Sequence, residues 1–277
     1  MCNKDKLIKH SINSNNMAEL IFGPGGNVGK DIFDSLCILK EEGLGVQEIE
    51  FVHSIVMKED TARKAGQLAK ELGIRLSIHA PYYVNLLSKE EHKIVASKKR
   101  ILDCCRIGHI LGAKSIVFHP AFYGDHSKED AYPKVKEQVE DMMKTRKEEG
   151  LSPELCPETM GKGSQFGDID EVLKLSRDTG CGVCIDFAHI YARNIGKIDY
   201  DDIFTKLKKS GLKQIHCHFS GIVYGEKGEK HHIQMEKERA EELLGYAKKY
   251  DVNLVVINES PDPFKGALDM KSIWASM

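Results

Sequence analysis

A regular alternation of short apolar runs and helical segments is the feature that most constrains the fold of this chain. The connections between these segments are short. Strands that alternate with helices in this way form parallel sheets joined by crossover helices. Eight such rounds predict an α/β fold that closes into a (β/α)8 TIM barrel. The predicted strands lie at 18–22, 47–51, 74–79, 115–119, 154–158, 181–186, 214–218 and 253–259.

The length of the chain suits one such barrel, because 277 residues are close to the ~250 of a typical example. We expect a polar N-terminal leader at 1–16 and a single catalytic barrel domain at 17–277. The leader has no apolar signal core, and no apolar run reaches the about 18 residues of a membrane span. Most of the eight cysteines lie in apolar runs, as buried thiols do. These features predict a cytoplasmic monomer without a membrane partner.

The segment 213–232, with the sequence KQIHCHFSGIVYGEKGEKHH, has the highest density of histidines in the chain. His216 and His218 alternate along a predicted strand, so their imidazoles share one face. A glycine-punctuated loop follows and ends in Glu229, His231 and His232. Neutral imidazole and carboxylate are ligands that zinc, manganese and iron accept at neutral pH. The segment is therefore typical of one part of a metal site.

Six consecutive predicted strands end in side chains that can bind a metal ion. In a barrel, the carboxyl ends of the strands converge on the face where active sites are built. One shared metal centre explains this regularity better than six unrelated structural roles. The side chains at these strand ends are His79, His119, Glu158, Asp186 with His189 just beyond it, His216 or His218, and Glu259.

An ordered set of motifs resembles endonuclease IV, a family of zinc-dependent apurinic/apyrimidinic endonucleases on the xylose isomerase-like barrel. The resemblance runs from the third predicted strand to the C-terminus, and the motifs occur in the order of the family. They are HAPYYVNL at 79–86, FHP at 118–120, PET at 157–159 with GKGSQFG after it, CIDFAH at 184–189, GEKGEKHH after His216, and NESP at 258–261.

The resemblance implies three zinc ions. His79 and His119 would bind the first, and Glu158 would bridge it to the second. Asp186, His216 and Glu259 would complete the second site, and the third would be bound by His189, Glu229 and His231. Glu229 stands where the family usually has aspartate. Two pairs stay open, because His218 and His232 are alternatives to His216 and His231. Manganese or iron also suits these ligands.

The implied activity is incision of DNA on the 5′ side of abasic sites, in base excision repair. A hydroxide held between two metals would attack the phosphorus, with Glu158 and Glu259 as catalytic residues. Tyr82 stands where a family tyrosine contacts DNA. Phosphate contacts are expected from loop cations around the metal centre, because a net charge of −2 gives no overall attraction to nucleic acid. These cations are Lys162, Arg193, Lys227 and Lys230.

One departure favours an alternative function. The loop after the second strand, FVHSIVMKEDTARK, lacks the aromatic and arginine residues with which the family penetrates DNA. A sugar isomerase or epimerase on the same barrel, dependent on a divalent metal, is the alternative. Such enzymes use a smaller ligand set around one or two ions, so metal stoichiometry separates the two hypotheses.

Overall fold

The computed structural model describes residues 18–277, in which strands and helices alternate. The strands are β1 (Leu20–Pro24), β2 (Val46–Glu50), β3 (Arg75–His79), β4 (Ser115–Phe118), β5 (Ala121–Phe122), β6 (Glu154–Pro157), β7 (Gln165–Phe166), β8 (Cys184–Asp186), β9 (Ile215–Phe219), β10 (Gly221–Gly225), β11 (Gly228–Ile233) and β12 (Leu254–Asn258). The helices are α1 (Ile32–Glu42), α2 (Glu59–Leu72), α3 (Glu91–Leu111), α4 (Lys128–Glu148), α5 (Ile169–Thr179), α6 (Phe187–Arg193), α7 (Tyr200–Ser210), α8 (Lys237–Tyr250) and α9 (Pro263–Ala275).

Two four-stranded parallel sheets close into a barrel. Their strand orders are β1-β12-β9-β8 and β2-β3-β4-β6. A bridge between Gly25 and Glu48 joins β1 to β2, and a bridge between Glu158 and Cys184 joins β6 to β8. The predicted TIM barrel is therefore confirmed. The division into a leader at 1–16 and a domain at 17–277 stays a prediction, because the leader lies outside the described residues.

The barrel interior changes from apolar to polar along the strands. Alternate residues of a barrel strand point inward, and the inward positions below the site form two apolar clusters, beside the hydrogen-bonded polar pair Arg75 and Gln214 at the strand starts. Further along the same strands, the inward positions are occupied by charged and imidazole side chains. Every functional side chain considered below thus lies toward the carboxyl ends. The apolar interior positions are Val46, Val255 and Ile257 in one cluster and Val117, Cys156 and Cys184 in another.

Local sequence signals explain where the helices begin and end. Asp168 begins α5 with a capping box, in which its side chain accepts a hydrogen bond from Glu171 N while Glu171 bonds back. Gly73 and Gly112 end α2 and α3 with φ values of 72° and 78°. Glycine adopts this left-handed conformation without the Cβ penalty that other residues incur.

Several elements differ from the prediction. The glycine-punctuated loop after the seventh barrel strand is a β-hairpin, β10–β11. The sixth barrel strand spans only Cys184–Asp186, and the short helix α6 starts directly after it. The small antiparallel pair β5–β7 and the C-terminal helix α9 were also not predicted. These additions lie at the carboxyl ends of the barrel strands or beyond the last one, and three of the four surround the barrel mouth.

The cysteines match the expectation in part. Six are buried free thiols, including Cys181 and Cys184 of the CxxC sequence, whereas Cys37 is disulfide-bonded. Cys184 points into the barrel and Cys181 packs in the outer core. Between residues 18 and 277, no helix has both the length and the apolar composition needed to cross a membrane.

Candidate metal centre

The carboxyl ends of the barrel strands surround a cavity of about 510 Å³. Its walls contain most of the side chains that were predicted to bind metal. Pairs of donor atoms within these walls lie at short distances from one another. A tetrahedral zinc ion with bonds of about 2.0–2.1 Å holds its ligand atoms roughly 3.3 Å apart. The lining includes Glu50, His79, Tyr82, His119, Glu158, Lys162, His189, Glu229, His232 and Glu259.

The first group of donors is His79, His119 and Glu158. The Nε2 atoms of His79 and His119 lie 3.3 and 3.0 Å from Glu158 Oε2. The other ring nitrogen of His79, Nδ1, lies 2.8 Å from the carbonyl oxygen of Ala80. Donation from Nδ1–H to that carbonyl leaves a lone pair on Nε2, which is the atom that faces Glu158. The group therefore has the spacing and the tautomer that a metal site requires.

The second group is Glu158, Asp186, His218 and Glu259, whose donor atoms lie within 4.8 Å of one another. His218 Nδ1 is 3.1 Å from Glu158 Oε1 and 3.1 Å from Glu259 Oε1. Asp186 Oδ2 is buried without a hydrogen-bond partner, which is costly unless a cation or water satisfies it. Glu158 directs Oε2 to the first group and Oε1 to the second. It therefore has the geometry of a bridging carboxylate.

The third group lies where α6 meets the hairpin β10–β11. The Nε2 atoms of His189 and His232 face each other at 3.3 Å, and Glu229 Oε2 is 3.6 Å from His189 Nε2. Asp186 lies within 4.8 Å of both imidazoles. A side chain at Gly161 would meet Glu229 at 2.7 Å and His189 at 3.1 Å. The glycine thus allows the hairpin to approach α6 closely, a role that the GKGS sequence at 161–164 did not specify.

The structure favours the alternative histidine in both open pairs. His216 lies one layer deeper in the barrel than His218, with its Nε2 2.9 Å from Glu48 Oε2. It groups with Cys184 and His218 and not with Glu158 or Glu259. His231 is exposed and belongs to none of the donor groups found among the described residues. At the barrel mouth, His218 and His232 therefore lie among the other donors, and His216 and His231 do not.

A β-bulge explains why His232 faces His189 in place of His231, the ligand that the resemblance implied. Two residues apart on a regular strand, Glu229 and His231 share a face. In the hairpin, however, Tyr224 pairs with Glu229 and Val223 pairs with His231, so Lys230 has no partner. The extra residue shifts the alternation by one position. Glu229 and His232 consequently reach the same side, toward His189.

Burial and neighbouring charges set the protonation of these groups. Burial opposes ionisation of Glu158, yet the imidazoles of His218 and His119 hold its pKa well below the usual value. Burial also opposes protonation of His79, but its contacts with Glu158 and Glu50 raise its pKa to about 10. Burial, aided by nearby carboxylates, raises the pKa of Glu259 to about 8. Without a cation, protons therefore balance the buried carboxylates.

The residues predicted to contact the substrate differ in position: two line the cavity, two are exposed on the hairpin, and one is bound to backbone carbonyls. Tyr82 and Lys162 line the cavity, and the Tyr82 ring centroid lies 5.3 Å from those of both His79 and His119. Lys227 and Lys230 are exposed on the hairpin. Arg193 is already engaged, because its Nη1 donates to the carbonyl oxygens of Met160, Lys162 and Gln165 at 2.6–3.3 Å. Arg193 thus holds the loop that presents Lys162.

Exposed apolar side chains collect on one side of the cavity, in the loops that follow β2, β3 and β4. Tyr83 and Val56 are 64% and 80% exposed, and His53 stacks on Tyr83 with ring centroids 5.9 Å apart. Large apolar groups are rarely left in water together without a binding role. We call this set the apolar rim; its members are Val52, Val56, Tyr82, Tyr83 and Phe122.

Two carboxylates of the site, Glu48 and Glu50 on β2, were not predicted. Both point into the barrel, and together with Glu259 they form a further group of donors within 4.8 Å of one another. Glu48 is fully buried, and Glu50 lines the cavity. The signal was present in the sequence QEIEF at 47–51. Both faces of a strand in an α/β barrel are covered, so two alternating glutamates there require partners.

Comparisons with known proteins show what the chain is similar to. A family model described as xylose isomerase-like TIM barrel matches residues 38–232. An uncharacterised protein of Methanocaldococcus jannaschii is 38% identical over 87% of this chain and 92% of its own length. A probable endonuclease 4 of Mycoplasma pneumoniae is 30% identical, and the match spans 56% of each chain, so it covers less than two thirds of that relative.

Solved structures share the fold. Endonuclease IV from Thermus thermophilus superimposes with a TM-score of 0.69 at 20% identity, covering 93% of this chain and 99% of that one. A 3-keto-D-glucoside 4-epimerase from E. coli gives a TM-score of 0.66 at 13% identity, covering 94% and 100%. The relatives named endonuclease 4 and the Thermus structure confirm the resemblance to endonuclease IV that the motifs indicated.

Proposed function

Since the chain belongs to the xylose isomerase-like TIM barrel family, we propose that it is a metal-dependent phosphodiesterase that incises DNA on the 5′ side of abasic sites. One observation carries the proposal: three groups of metal donors meet at the barrel mouth and share carboxylates. Glu158 joins the first group to the second. A polynuclear centre of this kind suits phosphoryl transfer, in which charge develops on several oxygens at once.

The donor set fits zinc. The donors are imidazole nitrogens and carboxylate oxygens, and the nearest pairs lie 3.0–3.6 Å apart. Asp186 Oδ2 accepts no hydrogen bond and has His189 Nδ1 3.3 Å away as an ion-pair neighbour, so a cation in the second group would supply the contact that this oxygen lacks. We propose His79, His119 and Glu158 for the first ion, and His189, Glu229 and His232 for the third. The second ion would be bound by Glu158, Asp186, His218 and Glu259.

Bound cations would activate a water molecule at neutral pH and neutralise phosphate oxygens. The protein itself positions the reacting groups. Glu158 fixes the distance between the first and second groups, because each of its oxygens serves one of them. Glu259 lies beside His218 and also lines the cavity, so it can orient an attacking water and accept its proton. The buried walls around these residues exclude bulk water, which strengthens every charge interaction at the site.

The surroundings of the cavity support a nucleic acid as substrate. The apolar rim offers rings on which bases stack, and Tyr82 is placed at the edge of the metal groups. Stacking of this kind tolerates any sequence, because every base has a π-face. Lys162 in the wall of the cavity supplies a cation for a phosphate. Because of the rim, the loops after β2 and β3 carry exposed apolar side chains. The loop after β2 nevertheless lacks the aromatic and arginine residues with which the endonuclease IV family penetrates DNA.

A nicking assay tests the proposal. Purified protein, stripped with chelator and reloaded with zinc, is incubated with a duplex that carries one abasic analogue. We expect a single nick 5′ to the analogue, with a 3′-hydroxyl end, that disappears on addition of chelator and is absent from undamaged duplex. A preparation with three bound ions that leaves the abasic duplex intact would reject the endonuclease proposal and retain the metal centre.

A second candidate is a metal-dependent sugar isomerase or epimerase. The second donor group alone forms a complete one-metal site, and a sugar epimerase shares the fold. In such an enzyme the third group, on α6 and the hairpin, has no obvious task. Elemental analysis of protein purified without added metal separates the two candidates. One bound manganese or magnesium would favour the epimerase, and three zinc ions would favour the nuclease.

A further inference from the structure

Most imidazoles of the centre have their second ring nitrogen held by a neutral oxygen. Nδ1 of His79 is held by the Ala80 carbonyl at 2.8 Å. Nδ1 of His189 is held by the Thr159 carbonyl at 3.0 Å, with oxygens of Glu158 and Asp186 each 3.3 Å away. Nδ1 of His232 lies 3.0 Å from Ser220 Oγ. In each case Nε2 faces the cavity. The carbonyl contacts fix the ring and the tautomer of His79 and His189, whereas the Ser220 hydroxyl, which can donate or accept, orients only the ring of His232.

His218 presents the other ring nitrogen, Nδ1 instead of Nε2, to the cavity. Its Nδ1 faces Glu158 and Glu259 at 3.1 Å, and its Nε2 faces Glu48 Oε1 at 2.8 Å. The nearest group is therefore a carboxylate instead of a neutral oxygen, in an ion-pair contact whose two atoms have no aligned hydrogen bond in this structure. A carboxylate that accepts the Nε2–H bond leaves the lone pair on Nδ1 and increases the basicity of the ring.

Glu48 is placed to hold two rings at once. Its Oε2 lies 2.9 Å from His216 Nε2, and the rings of His216 and His218 are nearly perpendicular, with centroids 5.6 Å apart. The glutamate is fully buried and projects inward from β2, whereas the histidines project inward from β9. Directly before it on the same face of β2 is Val46, which packs on Val255 and Ile257. A carboxylate in such a position is unfavourable unless strong hydrogen bonds compensate for its lost hydration.

We infer that Glu48 is a positioning residue of the metal centre, which holds His218 with Nδ1 directed at the cation shared with Glu158, Asp186 and Glu259. His216, expected from sequence to be a ligand, instead anchors the second oxygen of Glu48. The inference rests on the proposed function only in requiring that the second donor group bind a divalent cation. It does not depend on DNA being the substrate.

The variant Glu48→Gln tests this role with nearly unchanged volume. An amide has one acceptor and one donor end, so it cannot accept from both rings. Either His218 loses its acceptor, or His216 does and the pair rearranges. Ser77→Ala is the matched control, because Ser77 pairs with Glu48 on the neighbouring strand and is equally buried. His216→Ala removes the anchor and leaves the contact between Glu48 and His218.

Zinc affinity is measured by competition with a chromophoric chelator, alongside the thermal stability of the metal-free proteins. We expect Glu48→Gln to weaken the site that contains His218 by about 10–100-fold, as loss of a ligand's partner does. Ser77→Ala should match the wild type, and His216→Ala should fall between them. A purely structural role would instead lower the melting temperature of the metal-free protein and leave zinc affinity unchanged, which would overturn the inference.

A second measurement needs no variant. Nitrogen NMR of the zinc-loaded wild type distinguishes a metallated Nδ1 from a metallated Nε2 in His218. Metallation at Nδ1, with a proton retained on Nε2, supports the inference, and metallation at Nε2 overturns it even if Glu48→Gln fails to fold. A wild-type protein that binds no divalent cation would reject the metal-dependent function together with the inference. Tight binding that Glu48→Gln leaves unaltered would reject the inference alone.

Discussion

The metal donors on the barrel strands and those on the β10–β11 hairpin differ in how firmly the backbone fixes them. Glu158 and His218 are at most 1% exposed. The strand of His218, β9, is paired on both sides, and Glu158, just after β6, is held by a bridge to Cys184 and a backbone hydrogen bond to Phe118 O. Glu229 and His232 are 19% and 22% exposed, and their hairpin is paired only with itself. A backbone hydrogen bond from Glu229 N to Gly161 O ties it to the barrel. The strand-borne groups thus form the rigid part of the centre, and the hairpin-borne group is the adjustable part.

The largest effect is expected from the strand-borne bridge. Glu158→Gln replaces one carboxylate oxygen by an amide NH2 and leaves the other oxygen neutral, so the first and second groups lose their shared negative charge while the side chain keeps nearly the same size. We expect cation-dependent nicking to fall by at least about 10³-fold, more than the ~100-fold that loss of a supporting partner costs. Elemental analysis should show loss of two of three ions. Retention of all three would mean that Glu158 does not bridge them.

The hairpin-borne group is tested by a matched pair of neighbouring histidines. His232→Ala removes the imidazole that faces His189, and His231→Ala removes one that is exposed and outside the donor groups. We expect the first to cost roughly 10²-fold in turnover, as loss of one group that stabilises transition-state charge does, and one bound ion. The second should leave both quantities near wild type. The reverse result would restore the ligand expected from sequence spacing.

This contrast also explains how far the sequence could predict the site. Strand alternation and convergence of strand ends predicted that His79, His119, Glu158, Asp186 and Glu259 meet at one mouth, and their side chains lie close together there. Alternation could not choose between His216 and His218, because both point inward and only their depth in the barrel differs. The choice between His231 and His232 depended on a bulge at Lys230. A bulge can be predicted only within a strand, and this segment was predicted to be a loop. Depth is a property of the closed barrel, and the bulge is a property of the paired hairpin β10–β11.

Glu48 was missed because its role depends on its position in the closed barrel. It lies within a strand instead of at its end, so a search of strand ends passes over it. Its importance comes from β9, on another part of the barrel, whose imidazoles it contacts. The fold itself was easier to predict, because each strand–helix round is encoded locally by apolar runs and by caps such as Gly73 and Gly112.

Metal binding to the strand-borne groups should depend strongly on pH. In the cation-free protein the pKa of His79 is about 10 and that of Glu259 about 8. At pH 7, His79 is therefore an imidazolium and Glu259 a neutral carboxylic acid, each with one proton that a bound cation must displace. Each must lose it to bind a cation, and apparent affinity should therefore rise with pH by about tenfold per unit for each proton released. Calorimetry in buffers of different ionisation enthalpy counts the protons. Binding at pH 7 without proton release would contradict this.

The smallest effect is expected from deleting Lys230. The deletion removes the bulge but leaves Tyr224 opposite Glu229, Val223 opposite His231 and Ile222 opposite His232. Glu229 and His232 should then stay on one face, now through regular alternation, and three ions should remain bound. If Lys230 contacts a phosphate, DNA affinity should weaken evenly across sequences and its salt dependence should drop by about one counterion. Loss of the third ion would show that the bulge holds the group together, which would make the hairpin as sensitive to its backbone as the barrel strands are.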